Sequence, residues 1–177
     1  MAAEKQLRVF LDANVFIRGI TFPRFPYEVL RHAANGDFVA VTSSLVLDSV
    51  RLYVSTLFPD YWETFEVLLA VLPYELVPDP SPEAVKLHAD LVRDHKDVPV
   101  ALAAIQSGVD YLVSTDQDFT DVDNSTAELR KHLEPIRVGS FLHGVLGWTT
   151  EQLAAIERRH WSDLEEPFWK DKGRVQR

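Results

Sequence analysis

Short apolar segments of strand type alternate with segments of helix type along most of the chain. The strand-type segments are residues 7–11, 38–42, 74–77, 110–114 and 136–138. Helices are predicted from residue 15 and over residues 27–35, 44–58, 61–71, 83–93, 98–107 and 149–160. Because parallel strands need connections of helix length, this alternation predicts an α/β fold whose mostly parallel sheet is covered by helices on both faces.

The size and composition of the chain fit one domain. A chain of 177 residues with 46% hydrophobic residues can bury a sizeable core. No stretch approaches the roughly 18 uncharged residues of a membrane helix, and no long apolar signal follows Met1, so we expect a cytoplasmic protein with no membrane partner. We divide it into a domain over residues 1–147 and a C-terminal helix with a basic and aromatic tail over residues 148–177.

Charge and cysteine content narrow the classes of function. The chain has 18 Lys and Arg residues and 27 Asp and Glu residues, which gives a net charge of -9. This balance argues against a protein that holds nucleic acid by bulk electrostatics. The chain has no cysteine, which excludes disulfides, thiolate zinc sites and thiol nucleophiles.

Acidic residues follow two of the predicted strands. Asp12 follows the first strand, Asp116 and Asp118 follow the fourth, and Asp97 begins the helix that leads into the fourth strand. Ligands of open parallel sheets collect beyond the carboxyl ends of the strands, so these carboxylates converge if the first and fourth strands are neighbours. Each one also has a local explanation as a helix cap or a turn residue. Those explanations do not account for the convergence.

Asp48 lies in a predicted helix that is apolar on nearly every side. An acid in such a helix needs a partner or a function. It could form an exposed ion pair with Arg51 three residues later, or it could point to the same sheet edge as the other aspartates. The periodicity slightly favours the ion pair.

Several carboxylates held close together repel one another unless a cation neutralises them. Hard cations such as Mg²⁺ or Mn²⁺ take oxygen ligands and suit such a site. A metal ion in this position can activate water for attack on phosphorus and stabilise the leaving oxygen. The acidic residues therefore favour phosphoryl chemistry.

Four segments, residues 9–17, 44–48, 94–103 and 108–119, resemble the PIN-domain family of VapC-type toxin-like ribonucleases in order and spacing. The resemblance implies a three-layer α/β/α sandwich and a Mg²⁺- or Mn²⁺-dependent endoribonuclease that acts on single-stranded or structured RNA. It also implies the toxin of a toxin–antitoxin pair, with a small antitoxin as partner. The alternative is a catalytically weakened PIN-like protein that acts by binding RNA or protein.

The resemblance also assigns residues. The catalytic acids that it implies are Asp12, Asp48, Asp97 and Asp116, the metal ligands are Asp12, Asp97, Asp116 and Asp118, and the supporting polar residues are Asn14 and Thr115. The family usually has glutamate at the position of Asp48, and the shorter aspartate puts direct metal contact there in doubt. The candidates for binding RNA phosphates, on segments near the predicted site, are Arg18, Arg24, Arg31 and Arg51, of which Arg18 and Arg51 are the two that we assign to substrate binding.

Two further segments have open interpretations. Trp161, Phe168 and Trp169 stand among basic residues near the C-terminus, where they could stack on RNA or pack against the body or a second subunit. Packing is the commoner arrangement. The apolar helices over residues 45–58 and 61–71 could form a homodimer interface or contribute to the core.

Overall fold

A computed structural model describes residues 4–171 and contains one five-stranded parallel sheet. The strands are β1 (Arg8–Leu11), β2 (Val39–Ser43), β3 (Tyr74–Val77), β4 (Tyr111–Ser114) and β5 (Glu134–Arg137). Their order in the sheet is β3-β2-β1-β4-β5. The predicted α/β class and parallel sheet are confirmed.

Helices connect every pair of consecutive strands, and three more follow β5. They are α1 (Ala13–Thr21), α2 (Phe25–Ala34), α3 (Ser44–Leu57), α4 (Trp62–Val71), α5 (Pro82–Leu87), α6 (Val98–Gln106), α7 (Gln117–Thr120), α8 (Ala127–Arg130), α9 (Val138–Gly144), α10 (Thr150–Ile156) and α11 (Phe168–Asp171). Short 3-10 turns cover Pro59–Tyr61, His95–Asp97, Asn124–Thr126 and Trp161–Asp163. Within residues 4–171, no helix has the length and apolar character needed to cross a bilayer.

The neighbouring interior strands β1 and β4 are buried on both faces. Phe10 of β1 and Leu112 of β4 are paired in register and fully shielded from solvent, as are the flanking Leu11 and Val113. Strands covered on both faces carry continuous apolar runs rather than alternation, which explains why both were recognisable in the sequence. The β1–β4 pairing also meets the condition for convergence, because the residues after both strands reach the same edge of the sheet.

The predicted helix over residues 83–93 is wrong in length. Helix α5 ends at Leu87, and turns lead from there to the 3-10 turn His95–Asp97. Leu87 is 83% exposed, whereas Leu91, four residues later, is buried. The four-residue spacing of Leu87 and Leu91 is typical of one helix face, but the two side chains lie in different environments.

The last predicted helix, over residues 149–160, also ends early. Helix α10 stops at Ile156, and the chain then folds back on the body. The Arg159 guanidinium donates hydrogen bonds to the Pro23 carbonyl (2.6 Å) and to the Glu28 carboxylate (2.8 Å). Helix periodicity would have extended α10 through Arg159, but this residue instead makes long-range hydrogen bonds to the body.

The C-terminal arm, residues 157–171, packs on α2. The rings of Trp161, Phe168 and Trp169 surround Tyr27, with centroid distances of 5.5, 5.1 and 5.6 Å. The Tyr27 hydroxyl accepts a hydrogen bond from the Phe168 backbone N–H at 2.8 Å. The tail aromatics thus pack on the body of the same chain, as the commoner interpretation held.

Helices α3 and α4 contribute to the core on one side only. Val50, Val54, Phe65 and Leu68 are buried, whereas Leu52 and Leu57 are 70% and 56% exposed. The interpretation as core is therefore correct for one face. A homodimer through the other face stays a prediction.

Candidate functional site

The Asp12 carboxylate lies buried at the carboxyl end of β1, where it caps α1. One carboxylate oxygen accepts a hydrogen bond from the Ala13 N–H at 2.7 Å. The other accepts from the Ser114 hydroxyl at 2.8 Å. Burial raises the pKa of Asp12, and these two hydrogen bonds oppose that rise.

Ser114 links Asp12 to the acids that follow β4. Its hydroxyl oxygen accepts a hydrogen bond from the Asp116 backbone N–H at 2.9 Å. Asp116 caps α7, and its Oδ1 accepts from the Asp118 N–H at 2.8 Å. The chain of hydrogen bonds therefore orients three aspartates at one edge of the sheet.

Sequence reasoning missed Ser114 and assigned its supporting role to Thr115 and Asn14. Both of those residues are partly buried, and Thr115 lines a surface groove. Ser114 is fully buried. The sequence did carry a signal for Ser114. It is a polar residue at the end of an apolar strand, two positions before Asp116, and alternate residues share a face of a strand.

A second group of carboxylates comes from two segments that are distant in sequence, the 3-10 turn before α6 and helix α7. Asp94, Asp97 and Asp118 each offer one oxygen, and these oxygens all lie within 4.8 Å of one another. Asp94 caps the 3-10 turn that contains Asp97, and its Oδ1 accepts from the Lys96 N–H at 3.0 Å. Asp94 was not among the predicted site residues, although its three-residue spacing from Asp97 was a usable signal.

Asp97 is the most perturbed acid of this group. Its Oδ2 atom is buried and has no hydrogen-bond partner among the described residues. Burial, followed by repulsion from Asp116, Asp12, Asp94 and Asp118, raises the pKa of Asp97 to about 7. The five aspartates thus form one electrostatically coupled group, which we call the acidic cluster.

Arg93 stands beside the acidic cluster. Its guanidinium Nε lies 3.5 Å from Asp118 Oδ1. One terminal nitrogen lies 3.4 Å from carboxylate oxygens of both Asp121 and Asp123. This cation offsets part of the local negative charge and connects the loop before α6 to the loop after β4.

Asp48 is not hydrogen-bonded to the acidic cluster in the described part of the chain. Its side chain is 70% exposed, and Oδ1 accepts from the Arg51 guanidinium at 3.1 Å. This is the helix-surface ion pair that the periodicity slightly favoured. Arg51 is accordingly engaged with a carboxylate, whereas Arg18 is exposed on α1. A catalytic role for Asp48 stays a prediction.

The donor set of the acidic cluster fits a hard divalent cation. All its donors are carboxylate oxygens, which Mg²⁺ and Mn²⁺ prefer. The buried, unpartnered Asp97 Oδ2 is the specific observation that such an ion would explain. Asp94, Asp97 and Asp118 could hold the ion directly, and Asp12 and Asp116 flank them.

The fold is similar to that of solved proteins. The fold resembles VapBC2 from Rickettsia felis, whose structure was solved bound to a DNA fragment from its promoter, with a TM-score of 0.54. The two sequences are 16% identical, and the match covers 74% of this chain and 98% of that chain. The fold also resembles PAE2754 from Pyrobaculum aerophilum, with 14% identity, a TM-score of 0.52 and coverage of 80% and 97%.

At the level of sequence, no curated protein matches the chain significantly. A family model described as PIN domain, however, matches residues 8–118. The match spans more than half of the 177 residues and runs from the start of β1 to Asp118. The chain therefore belongs to the PIN domain family.

Proposed function

We propose that the protein is a Mg²⁺- or Mn²⁺-dependent endoribonuclease that hydrolyses phosphodiester bonds of RNA. The observation that carries this proposal is the convergence of Asp94, Asp97 and Asp118, with the buried Asp97 Oδ2 left without a partner. A carboxylate in that position is unfavourable without a proton or a cation. A divalent cation would satisfy it and provide a reason for the arrangement.

The electrostatics of the acidic cluster support binding of a cation. Four neighbouring aspartates contribute to the raised pKa of Asp97. The same repulsion that favours a proton on Asp97 favours a divalent cation among these oxygens. Arg93 supplies only one positive charge at this edge, and it is shared among three carboxylates.

The residues of the chain have separable tasks in this proposal. When bound, the cation neutralises phosphate oxygens and lowers the pKa of an attacking water. Ser114 holds Asp12 and the backbone of Asp116 in fixed positions. Asp97, whose Oδ2 has no competing hydrogen bond, is available either as a ligand or as the acceptor of a proton from water.

Cleavage of a fluorophore- and quencher-labelled single-stranded RNA tests the proposal. The parent protein should cleave with Mg²⁺ or Mn²⁺ and stop when EDTA is added. Asp97→Asn and Asp116→Asn should each lower the rate by at least about 100-fold, because a ligand or orienting carboxylate is lost. Asp60→Asn, a change at an exposed aspartate outside the acidic cluster, is the matched control. Unchanged cleavage in both site variants would show that the site is wrongly assigned.

The cellular role that we propose is that of a toxin held inactive by a small antitoxin. The similarity in fold to VapBC2 and the membership in the PIN domain family support it. Induced expression of the parent in a bacterial host should stop growth, whereas expression of Asp97→Asn should not. An antitoxin, sought among small reading frames beside the gene, should restore growth on co-expression, and continued growth of cells that express the parent alone would contradict the role.

Asp48 favours a second candidate, a catalytically weakened protein that acts by binding RNA or protein. Its carboxylate is paired with Arg51 and mostly exposed, so it is not held toward the acidic cluster. Asp48→Glu separates the two functions, because the longer side chain extends the reach of the carboxylate by one methylene. Cleavage that appears or rises only in Asp48→Glu would support the weakened protein, and efficient cleavage by the parent would reject it.

A further inference from the structure

A groove of about 270 Å³ lies where α1 ends and α2 begins. Its wall includes Arg18, Phe22, Arg24 and Thr115, and Glu157 of the C-terminal arm closes one side. We call it the α1–α2 groove. Of these residues, Arg18 and Arg24 were predicted from the sequence to contact phosphates, and Thr115 was predicted to support the acids.

Two residues of the α1–α2 groove, Thr115 and Arg18, belong to segments that also carry aspartates of the acidic cluster. Thr115 stands between Ser114, which orients Asp12, and Asp116. On the other wall, α1 is capped by Asp12, and Arg18 follows six residues later, about 9 Å along the helix axis. A polymer lying across the acidic cluster can therefore place its next unit in this groove.

The groove is locally basic in a chain that is acidic overall. Arg18 and Arg24 have no carboxylate partner among the described residues, whereas Arg51 and Arg93 are ion-paired. Two arginines face the single carboxylate of Glu157 in this wall. The balance of charge favours an anion in the groove.

The groove also has an aromatic surface. Phe22 is 49% exposed, and the Arg24 guanidinium carbon lies 4.8 Å from the centroid of its ring. A large exposed aromatic side chain next to a guanidinium that has no carboxylate partner among the described residues offers flat faces on which a nucleobase can stack.

The C-terminal arm holds this surface in place. Arg24 Nε donates to the Arg159 carbonyl at 3.2 Å, and Arg159 Nε donates to the Pro23 carbonyl at 2.6 Å. Arg159 is in turn paired with the buried Glu28. The Phe22–Arg24 surface is therefore preorganised, which lowers the entropic cost of binding a ligand.

We propose that the α1–α2 groove binds one unpaired nucleotide of single-stranded RNA, next to the phosphate at the acidic cluster. The base stacks on the Phe22–Arg24 surface, and Arg18 contacts a phosphate. This inference rests on the proposed ribonuclease function. It selects single-stranded over duplex RNA, because a paired base has no free face to present to an aromatic side chain.

Fluorescence anisotropy with a labelled single-stranded oligoribonucleotide tests the groove. Binding is measured with Mg²⁺ in an Asp116→Asn background, so that cleavage does not consume the probe. Phe22→Ala should raise Kd by about 5- to 100-fold, and Phe22→Tyr, which keeps the ring, should restore it to within about threefold. Trp62→Ala, a change at an aromatic residue of α4 that is 37% exposed, should leave Kd unchanged.

The phosphate contact has its own readout. Arg18→Ala should lower the slope of log K against log salt concentration by about 0.7, the value for one phosphate contact with a single strand. Lys5→Ala removes the same charge just before β1, at the opposite edge of the sheet, and should leave the slope unchanged. Duplex RNA of the same sequence should not compete with the probe.

Kinetics in the active protein separate failure of the groove from failure of the nuclease. Phe22→Ala should raise KM at least fivefold and leave kcat within twofold. If Phe22→Ala changes neither Kd nor KM while Asp97→Asn abolishes cleavage, the proposed nucleotide site in the groove is wrong and the proposed ribonuclease function is supported. If single-stranded RNA binds in a Phe22-dependent way but no metal-dependent cleavage occurs, the proposed nucleotide site is supported and the proposed ribonuclease function is wrong.

Discussion

The Ser114 hydroxyl donates a 2.8 Å hydrogen bond to the Asp12 carboxylate across 102 residues of sequence. The bond joins the ends of β1 and β4, and the same hydroxyl accepts from the Asp116 N–H. Because all three partners are at the carboxyl edge of the sheet, one buried serine sets the relative positions of acids from two strands. Its removal should affect both stability and activity.

Ser114→Ala should lower the free energy of unfolding by about 1–3 kcal/mol, because it leaves a carboxylate oxygen and a backbone N–H without partners in a buried site. The measurement is urea unfolding followed by circular dichroism. Ser140→Ala, at an exposed serine of α9, is the control and should change it by less than about 0.5 kcal/mol. Equal stability of Ser114→Ala and the parent would contradict the role of this bond.

The stability of the metal-free protein should fall as pH rises from about 4 to about 7. The pKa of Asp97 is raised from 3.8 to about 7 in the folded state, so the folded state binds more protons than the unfolded state within that window. The free-energy cost of ionising Asp97 in the folded state is absent below the unfolded pKa of 3.8, grows between that pH and about 7, and is constant above about 7. Thermal unfolding in EDTA at several pH values measures this trend.

Asp97→Asn is the control for that trend, because it removes the titrating group. It should flatten the fall in Tm between pH 5 and pH 7. Mg²⁺ should raise the Tm of the parent at pH 8, where the carboxylates are charged, and have little effect on Asp97→Asn. A Tm that rises with pH in EDTA would contradict the coupling in the acidic cluster.

Arg93→Ala should change the unfolding free energy by less than about 1 kcal/mol, because the guanidinium is half exposed and its pairs with Asp118, Asp121 and Asp123 are long. It should nevertheless raise the affinity for Mg²⁺ by about 3- to 10-fold, since a positive charge beside Asp118 is lost. Titration calorimetry measures this, with Lys131→Ala as a control at an exposed cation. Weaker Mg²⁺ binding would show that Arg93 instead orients Asp118.

Trp169→Ala should cost about 3–5 kcal/mol, because a nearly buried indole packed on Tyr27 is replaced by a cavity. Leu87→Ala, at a leucine that is 83% exposed, should cost less than about 0.5 kcal/mol. Both values come from chemical denaturation. A small loss for Trp169→Ala would mean that the C-terminal arm contributes little to the stability of the body.

The sequence determined the sheet and part of the acidic edge. β1 and β4 were recognisable because strands buried on both faces carry uninterrupted apolar runs. Asp12 and Asp116 could then be placed at one edge, since the carboxyl ends of parallel strands coincide. The start of α3 at Ser44, as predicted, follows from local sequence, because the capping hydrogen bond from the Val46 N–H to Ser43 Oγ spans only three residues.

Tertiary structure decided what depends on residues far apart in the chain. The Ser114–Asp12 hydrogen bond, the approach of Asp94 to within 4.8 Å of Asp118 and the Arg159–Pro23 hydrogen bond all join segments that are distant in sequence. Local periodicity carries no information on which distant segments meet. The early end of α5 has a similar cause, because burial of Leu91 in the body outweighed continuation of a helix. Local patterns specify elements, whereas the pairing of polar groups across elements arises only when the core brings those elements together.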